Sequence, residues 1–297
     1  MAEPIHRGGT WWHEQPDGSW FRFDAATGEW VTAPGPPPAP SADDVRAPPR
    51  PTPADATTFT PSGAYRSPAR WAHWAVRLLA AAVILNGIAI VSDFAEISLL
   101  GRLESGDFTS ISEAREAATS NDDRQATIGS LQLLIVLITA IPWLGWFRRA
   151  YGNLSSLGVR EPRFTPGWAV GAWFVPFLNL VRPKQIADDL WRSTDPTLPA
   201  QAEPLWRSKG VHALVHWWWA TWILSAVAAW IGAGLSEGEN LTIDQLQTAS
   251  IFVTLSDLAA LIAGILAIRV VRVITARQEA RAASLAMMGA TVAPSGS

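Results

Sequence analysis

Four stretches of the chain, 71–92, 126–147, 211–235 and 248–271, are apolar over the ~20 residues that a helix needs to cross a ~30 Å hydrocarbon layer. The first is interrupted by Arg77, the second and third carry no charge, and the fourth holds Asp257 and Arg269. In lipid every backbone amide and carbonyl must find its partner inside the protein, so such segments can only be helices or barrel strands. Their length selects helices. The expected fold is therefore an all-α membrane protein with four transmembrane helices. Composition agrees: only 16% of the residues are charged, where soluble domains carry roughly 25%.

A fifth apolar stretch, 164–181, is broken by Pro166, Gly167, Gly171 and Pro176 and closed by Pro183. Charge decides how to read it, because basic residues stay on the cytoplasmic side. Arg66, Arg70 and Arg77 mark the first boundary, and Arg148, Arg149, Arg160 and Arg163 stand against Glu161 after the second span. The last boundary has Arg269, Arg272, Arg277 and Arg281 against Glu279. By contrast, 93–124 has eight acids against three arginines, and 236–247 has Glu237, Glu239 and Asp244 with no base. Four crossings of the plasma membrane put every basic cluster inside and both termini in the cytoplasm. A fifth crossing would place the basic tail outside, so 164–181 is expected to dip in and return, or to lie at the interface. The following stretch, with Asp188, Asp189, Trp191 and Arg192, reads as a short interfacial amphipathic helix.

Before the membrane domain (70–282), residues 9–32 are crowded with Trp11, Trp12, Trp20, Phe21, Phe23 and Trp30. Turn signals at Pro16-Asp17-Gly18 and Ala26-Thr27-Gly28 divide them into three short strands, about 10–15, 19–24 and 29–32. Residues 33–69 form a Pro-rich linker expected to be disordered, with 11 of the 22 prolines falling in 34–68. A disordered tail is expected over 283–297. The first 70 residues contain no apolar run, so no cleavable signal peptide is expected.

Several chemistries find no footing. With no cysteine there is no disulfide, thiolate metal site or cysteine nucleophile. A net charge of −3 and the absence of a uniform basic patch argue against nucleic acid. No phosphate-binding glycine loop, Gly-x-Ser-x-Gly elbow or His-Glu-x-x-His pair occurs, so no enzymatic activity, metal or cofactor is expected.

Asp257 is the sharpest candidate, since an ionisable group in hydrocarbon costs several kcal/mol unless paired or neutralised. Asn86, Gln132 and Ser225 fall at similar depth on the other three helices. Together they form either a proton, cation or small polar ligand site, or an interhelical hydrogen-bond cluster that fixes packing. His212 and His216 share one helix face near His73, either as metal or haem ligands or as headgroup-level residues beside Trp217, Trp218 and Trp219. Arg148, Arg149, Arg160, Arg163, Arg182 and Arg192 surround the dipping segment and either hold anionic lipid phosphates or simply orient the chain. Asn153 and Asn179 are placed to cap backbone groups that the broken segment leaves free.

The run from Trp146 to Arg192 is distinctive: Trp-Phe-Arg-Arg-Ala-Tyr-Gly-Asn-Leu-Ser-Ser-Leu-Gly, then Phe-Thr-Pro-Gly-Trp-Ala-Val-Gly-Ala-Trp-Phe-Val-Pro-Phe-Leu-Asn-Leu-Val-Arg-Pro, then Asp-Leu-Trp-Arg. It resembles actinobacterial multi-pass membrane proteins of the domain of unknown function 4328 family, with Tyr151, Asn153, Trp168, Trp173, Pro176, Asn179 and Pro183 in the signature. The resemblance covers about residues 70–280 and implies a multi-pass membrane protein without supplying an activity. The N-terminal module is distantly similar to WW domains, with a Trp near each end and aromatics between, although it is shorter and its central aromatic pair is imperfect.

The leading expectation is a non-enzymatic interaction or scaffold protein of the cell envelope, bound to the bilayer, to anionic lipids and to a protein partner of the N-terminal module. The alternative is a transporter for an ion, a proton or a small solute, working through the polar layer around Asp257. Four helices are few for a lone transporter, so that alternative also calls for a homo-oligomer.

Overall fold

The computed structural model describes residues 5–7, 10–15, 17–24, 29–39, 64–159, 162–198, 205–238 and 241–292. The chain divides into two compact units, Met1–Thr60 and Pro61–Ser297.

The first unit is an antiparallel sheet in the order β1 (Ile5–Arg7), β2 (Thr10–Glu14), β3 (Trp20–Asp24), β4 (Glu29–Ala33). Strand alternation and the register, in which His13 faces Phe21 and Phe23 faces Trp30, put Trp11, His13, Phe21, Phe23 and Trp30 on one face. Trp12 and Trp20 lie on the other. The sheet has four strands where the sequence predicts three: Ile5 pairs with Trp12, but a three-residue strand is too short to show an alternating pattern. The turn at Gly18 forms as expected, with a positive φ of 80° and a Gly18 N–H to Gln15 carbonyl bond of 2.9 Å. Of the expected linker, 40–63 lies outside the described residues.

The second unit holds α1 (Ala69–Ser105), α2 (Ile111–Gly152), α3 (Trp168–Gly171), α4 (Arg182–Ser193), α5 (Ala213–Leu235) and α6 (Ile243–Val292). α1, α2, α5 and α6 are long and apolar enough to cross a membrane. At 1.5 Å per residue, the 37 residues of α1 and 42 of α2 run well past the hydrocarbon. The acidic segment 93–124 is thus a helical hairpin rather than a loop. Its turn is closed by Gly106 at φ 71° and by a capping box in which Ser110 Oγ accepts from Glu113 N–H at 3.2 Å and Glu113 accepts from Thr109 N–H at 2.9 Å. At the other end α6 continues to Val292, well into the expected disordered tail. Its Ile274 is solvent-free and its Gln278 and Arg281 are buried, so packing carries the helix beyond the apolar run.

α6 packs against both α1 and α5, and α2 packs on α1 while reaching α6 through side chains. Small residues permit this closeness, since lipid gives helices no hydrophobic reason to associate. A Cβ on Gly264 would lie 2.7 Å from Val83 of α1, and one on Gly145 would lie 2.6 Å from the Trp71 ring. α2 and α5 are not packed along their lengths; tryptophans span the gap, with Trp143 and Trp218 at 5.6 Å between ring centroids.

Residues 164–181 form no spanning helix. The segment is made of α3, turns and a 3-10 turn at Leu178–Leu180, with Phe177 at a φ of 61°, rare for a residue with a side chain. Phe174 and Phe177 are 70% and 83% exposed. α4 then opens with Pro183 in its first turn, where a missing N–H costs nothing. Its inward face (Ile186, Ala187, Leu190) joins Trp146, Phe147, Tyr151, Leu154, Trp206 and Ile274 in a core as dry as a soluble protein's.

Candidate functional site

Three of the four polar residues expected at a common depth meet. Gln132 Nε2 of α2 donates to Asn86 Oδ1 of α1 at 3.1 Å and to Asp257 Oδ1 of α6 at 2.9 Å. Asn86 Nδ2 in turn donates to the Ala82 carbonyl at 2.9 Å. Ser225 does not join through its side chain. Its hydroxyl turns back on the Trp222 carbonyl at 2.8 Å, as serine in a helix readily does, and only its backbone carbonyl is used, by Ser256 Oγ at 3.0 Å.

The network extends outward through residues that sequence reasoning counted as solvent-facing acids. Asp257 and Asp93 are near enough for their carboxyl groups to influence one another. Gln125 Nε2 donates to Asp93 Oδ1 at 3.3 Å and also to Glu96. Ser92 Oγ donates to Gln125 Oε1 at 2.9 Å and accepts from Arg124 Nε at 2.9 Å. A sequence signal for this existed: Asn86 and Asp93, like Gln125 and Gln132, are seven apart, which puts each pair on one helix face two turns apart. Two adjacent carboxyl groups shielded from bulk water can hold a proton or a cation between them. Among the described residues no His, Cys, Asp or Glu group has the arrangement of a metal site.

Beneath this layer lies a cavity of about 410 Å³, bordered by α1, α2, α5, α6 and the broken segment. Its walls include Trp143, Trp173, Trp218 and Trp222, and Asn86 and Ser225 border it too.

On the arginine-rich face, Arg148 is exposed and Arg149 half-buried. Arg163 pairs with the fully buried Asp189 at 3.3 Å, and Arg182 stacks over Trp168 at 4.2 Å. Arg192 is half-buried, and Arg160 lies outside the described residues. Tyr151 Oη donates to Asp189 Oδ2 at 3.2 Å and accepts the Phe164 N–H at 3.0 Å, anchoring the broken segment to α2. Burial pushes the Asp189 carboxyl above the usual carboxylate range, and the Arg163 charge opposes this.

Asn153 does not cap the broken segment. Its Nδ2 donates to the Arg66 carbonyl at 2.9 Å and to Gln278 Oε1 at 3.2 Å, tying the approach to α1 and the continuation of α6 to the end of α2. Asn179 contributes its backbone N–H to the Val175 carbonyl at 3.0 Å. Pro176 is exposed in a turn and Pro183 is buried. His212 serves as a helix cap, its Nδ1 accepting from Leu214 N–H at 3.1 Å while its ring stacks on Trp191; His216 is exposed.

Residues 110–276 match the family described as Domain of unknown function (DUF4328). No curated protein matches the chain, and no solved structure does.

Proposed function

The chain belongs to the DUF4328 family, and from that premise we propose that it is a non-enzymatic interaction protein of the plasma membrane, with both termini in the cytoplasm. The observation that carries this reading is the aromatic sheet of the first unit, a compact body separate from the helical unit that anchors it. Trp11, Phe21, Phe23 and Trp30 on one face of a single sheet are half-buried and keep apolar surface for a protein partner. Exposed Arg148, with Arg149 beside it, offers cationic contacts to anionic lipid phosphates. The apolar Phe174 and Phe177 suit insertion of the broken segment into the inner leaflet.

Deleting residues 1–68 tests the recognition role: loss of co-purifying partners supports it, and an unchanged set counts against it. A tag on the last residue should be reachable only after the membrane is opened. Labelling of that tag in intact cells overturns the orientation.

A second reading, a proton or cation transporter acting as a homo-oligomer, draws on the Gln132 bridge between Asn86 and Asp257. It predicts liposome flux that is lost in Asp257→Asn and kept in Asp257→Glu. Flux undiminished in Asp257→Leu removes it.

A further inference from the structure

We propose that Asp93 of α1 and Asp257 of α6 form a proton-binding site, a pair of carboxyl groups that together hold one proton at neutral pH. Geometry, missing counter-charge and lack of space each point to that occupant.

α2 presents an amide to each acid. Gln125 Nε2 donates to Asp93 Oδ1 at 3.3 Å, and Gln132 Nε2 donates to Asp257 Oδ1 at 2.9 Å. The two carboxyl groups are near enough to influence one another. Beyond the oxygen that Gln125 holds, Asp93 has a second, Oδ2, with no hydrogen-bond partner among the described residues, and Asp93 is only 2% exposed. A charged oxygen closed off from water without a donor is costly, and protonation removes that charge.

No base offsets the two acids. Neither Asp93 nor Asp257 has a salt-bridge partner among the described residues. On α2, Arg124 directs Nε to Ser92 Oγ and Nη2 to Asn121 Oδ1. On α1 the ionisable neighbour is Glu96, a further acid that shares Gln125 with Asp93. On α6 the next ionisable residues are Asp244 and Arg269, each about three turns from Asp257. α5 brings one ionisable side chain, His216, well along the helix from the Ser225 that meets Ser256 beside Asp257. Two like charges enclosed together do not both stay ionised, so the pair keeps one proton and a single negative charge.

A metal cation fits less well. Both glutamines aim N–H donors at the carboxyl groups, where a cation would call for oxygens. Among the described residues no His, Cys, Asp or Glu group is arranged to hold a metal. Asp93 Oδ2 is enclosed, with no space beside it for a hydrated ion, whereas a proton needs none.

For its role the site rests on the transporter reading above, to which it adds the proton as the bound species and Asp93 as the second carboxyl. Occupancy is read without flux, so a protonated pair in a chain that gives no liposome flux removes transport and upholds the site. The test is infrared difference spectroscopy of the full chain in lipid nanodiscs, titrated around neutral pH in light and heavy water. Wild type should show the deuterium-sensitive C=O stretch of a protonated carboxyl at neutral pH. Asp189→Asn, measured alongside, identifies the band of the other deeply buried carboxyl. Asp93→Asn should abolish the remaining band, because Asp257 keeps its Gln132 donor and loses its like-charged neighbour. Asp257→Asn should retain the band but move its titration to lower pH by about one pH unit, since Asp93 no longer faces a second acid across the helices. A wild type with no band beyond that of Asp189 overturns the proposal whatever the variants do, as does a band untouched by Asp93→Asn. An unmoved titration in Asp257→Asn overturns the pairing, and a band seen only when sodium and potassium are withheld assigns the site to a cation instead.

Discussion

Gln132 of α2 holds Asp257 of α6 at 2.9 Å while the same nitrogen reaches Asn86 of α1, so a single amide joins three of the four spanning helices. Removing it in Gln132→Leu leaves two acceptors without their donor inside the bundle. The expected loss is about 1–2 kcal/mol, in line with interhelical hydrogen bonds in membranes. Asp257→Asn, which still offers an oxygen to Gln132, should cost less. Unfolding by sodium dodecyl sulfate from mixed micelles measures both, and a Gln132→Leu protein as stable as wild type would show that the bridge contributes nothing.

Glycine-to-alanine substitutions should change sign with position. At Gly264 a new Cβ meets Val83 at 2.7 Å, whereas at Gly129 nothing lies within 4 Å. Gly264→Ala should destabilise by about 1–3 kcal/mol through overpacking of α1 on α6. Gly129→Ala should stabilise by up to about 1 kcal/mol through helix propensity alone. The same unfolding assay separates the two, and a shift of equal sign at both positions would refute the close approach.

Acid should favour the fold through Asp189. Burial raises its carboxyl above the ordinary 3.8, so the folded chain holds that proton more tightly than the unfolded one. The resulting stabilisation is fully present below the unfolded value and is lost as pH rises through the raised folded value. Thermal unfolding of wild type and Asp189→Asn from about pH 7 downward should show a gain in wild type above pH 3.8 that the variant lacks. A parallel pH response in both proteins would assign the effect elsewhere.

Tyr151→Phe should release the broken segment. It removes the acceptor of the Phe164 N–H and a donor to Asp189 together, at an expected cost of about 1–3 kcal/mol. Faster amide hydrogen exchange at Phe164, with exchange in the middle of α6 unchanged, is the local signature to look for. Unaltered exchange at Phe164 would contradict the anchoring role.

Asn153 and Gln278 should be energetically coupled. The 3.2 Å bond between them joins the end of α2 to the continuation of α6, and each also holds a backbone carbonyl, of Arg66 and Ala150 respectively. A double-mutant cycle with alanine at both sites should give a coupling of about 0.5–3 kcal/mol. Strict additivity would mean that the two positions act independently.

Hydropathy by itself determined the four helices, because an apolar run of sufficient length has no other way to satisfy its backbone in lipid. The prolines and glycines of 164–181 likewise foretold that this stretch would not become a fifth. Counting residues along each span put Asp257, Asn86, Gln132 and Ser225 at similar depth, but that Gln132 bridges Asn86 and Asp257 was decided by the packing. Counting could not tell that Ser225 would spend its hydroxyl on its own helix, or that Asp93, Glu96 and Gln125 would face inward. Both depend on how each helix is rotated about its axis, and that rotation is set by contacts such as Gly264 against Val83. Nor could it reveal the cavity or the dry core around Trp146 and Ile274. Local sequence dictates whether a segment is a helix, but only the joint packing of four helices decides which faces close and which gap stays open.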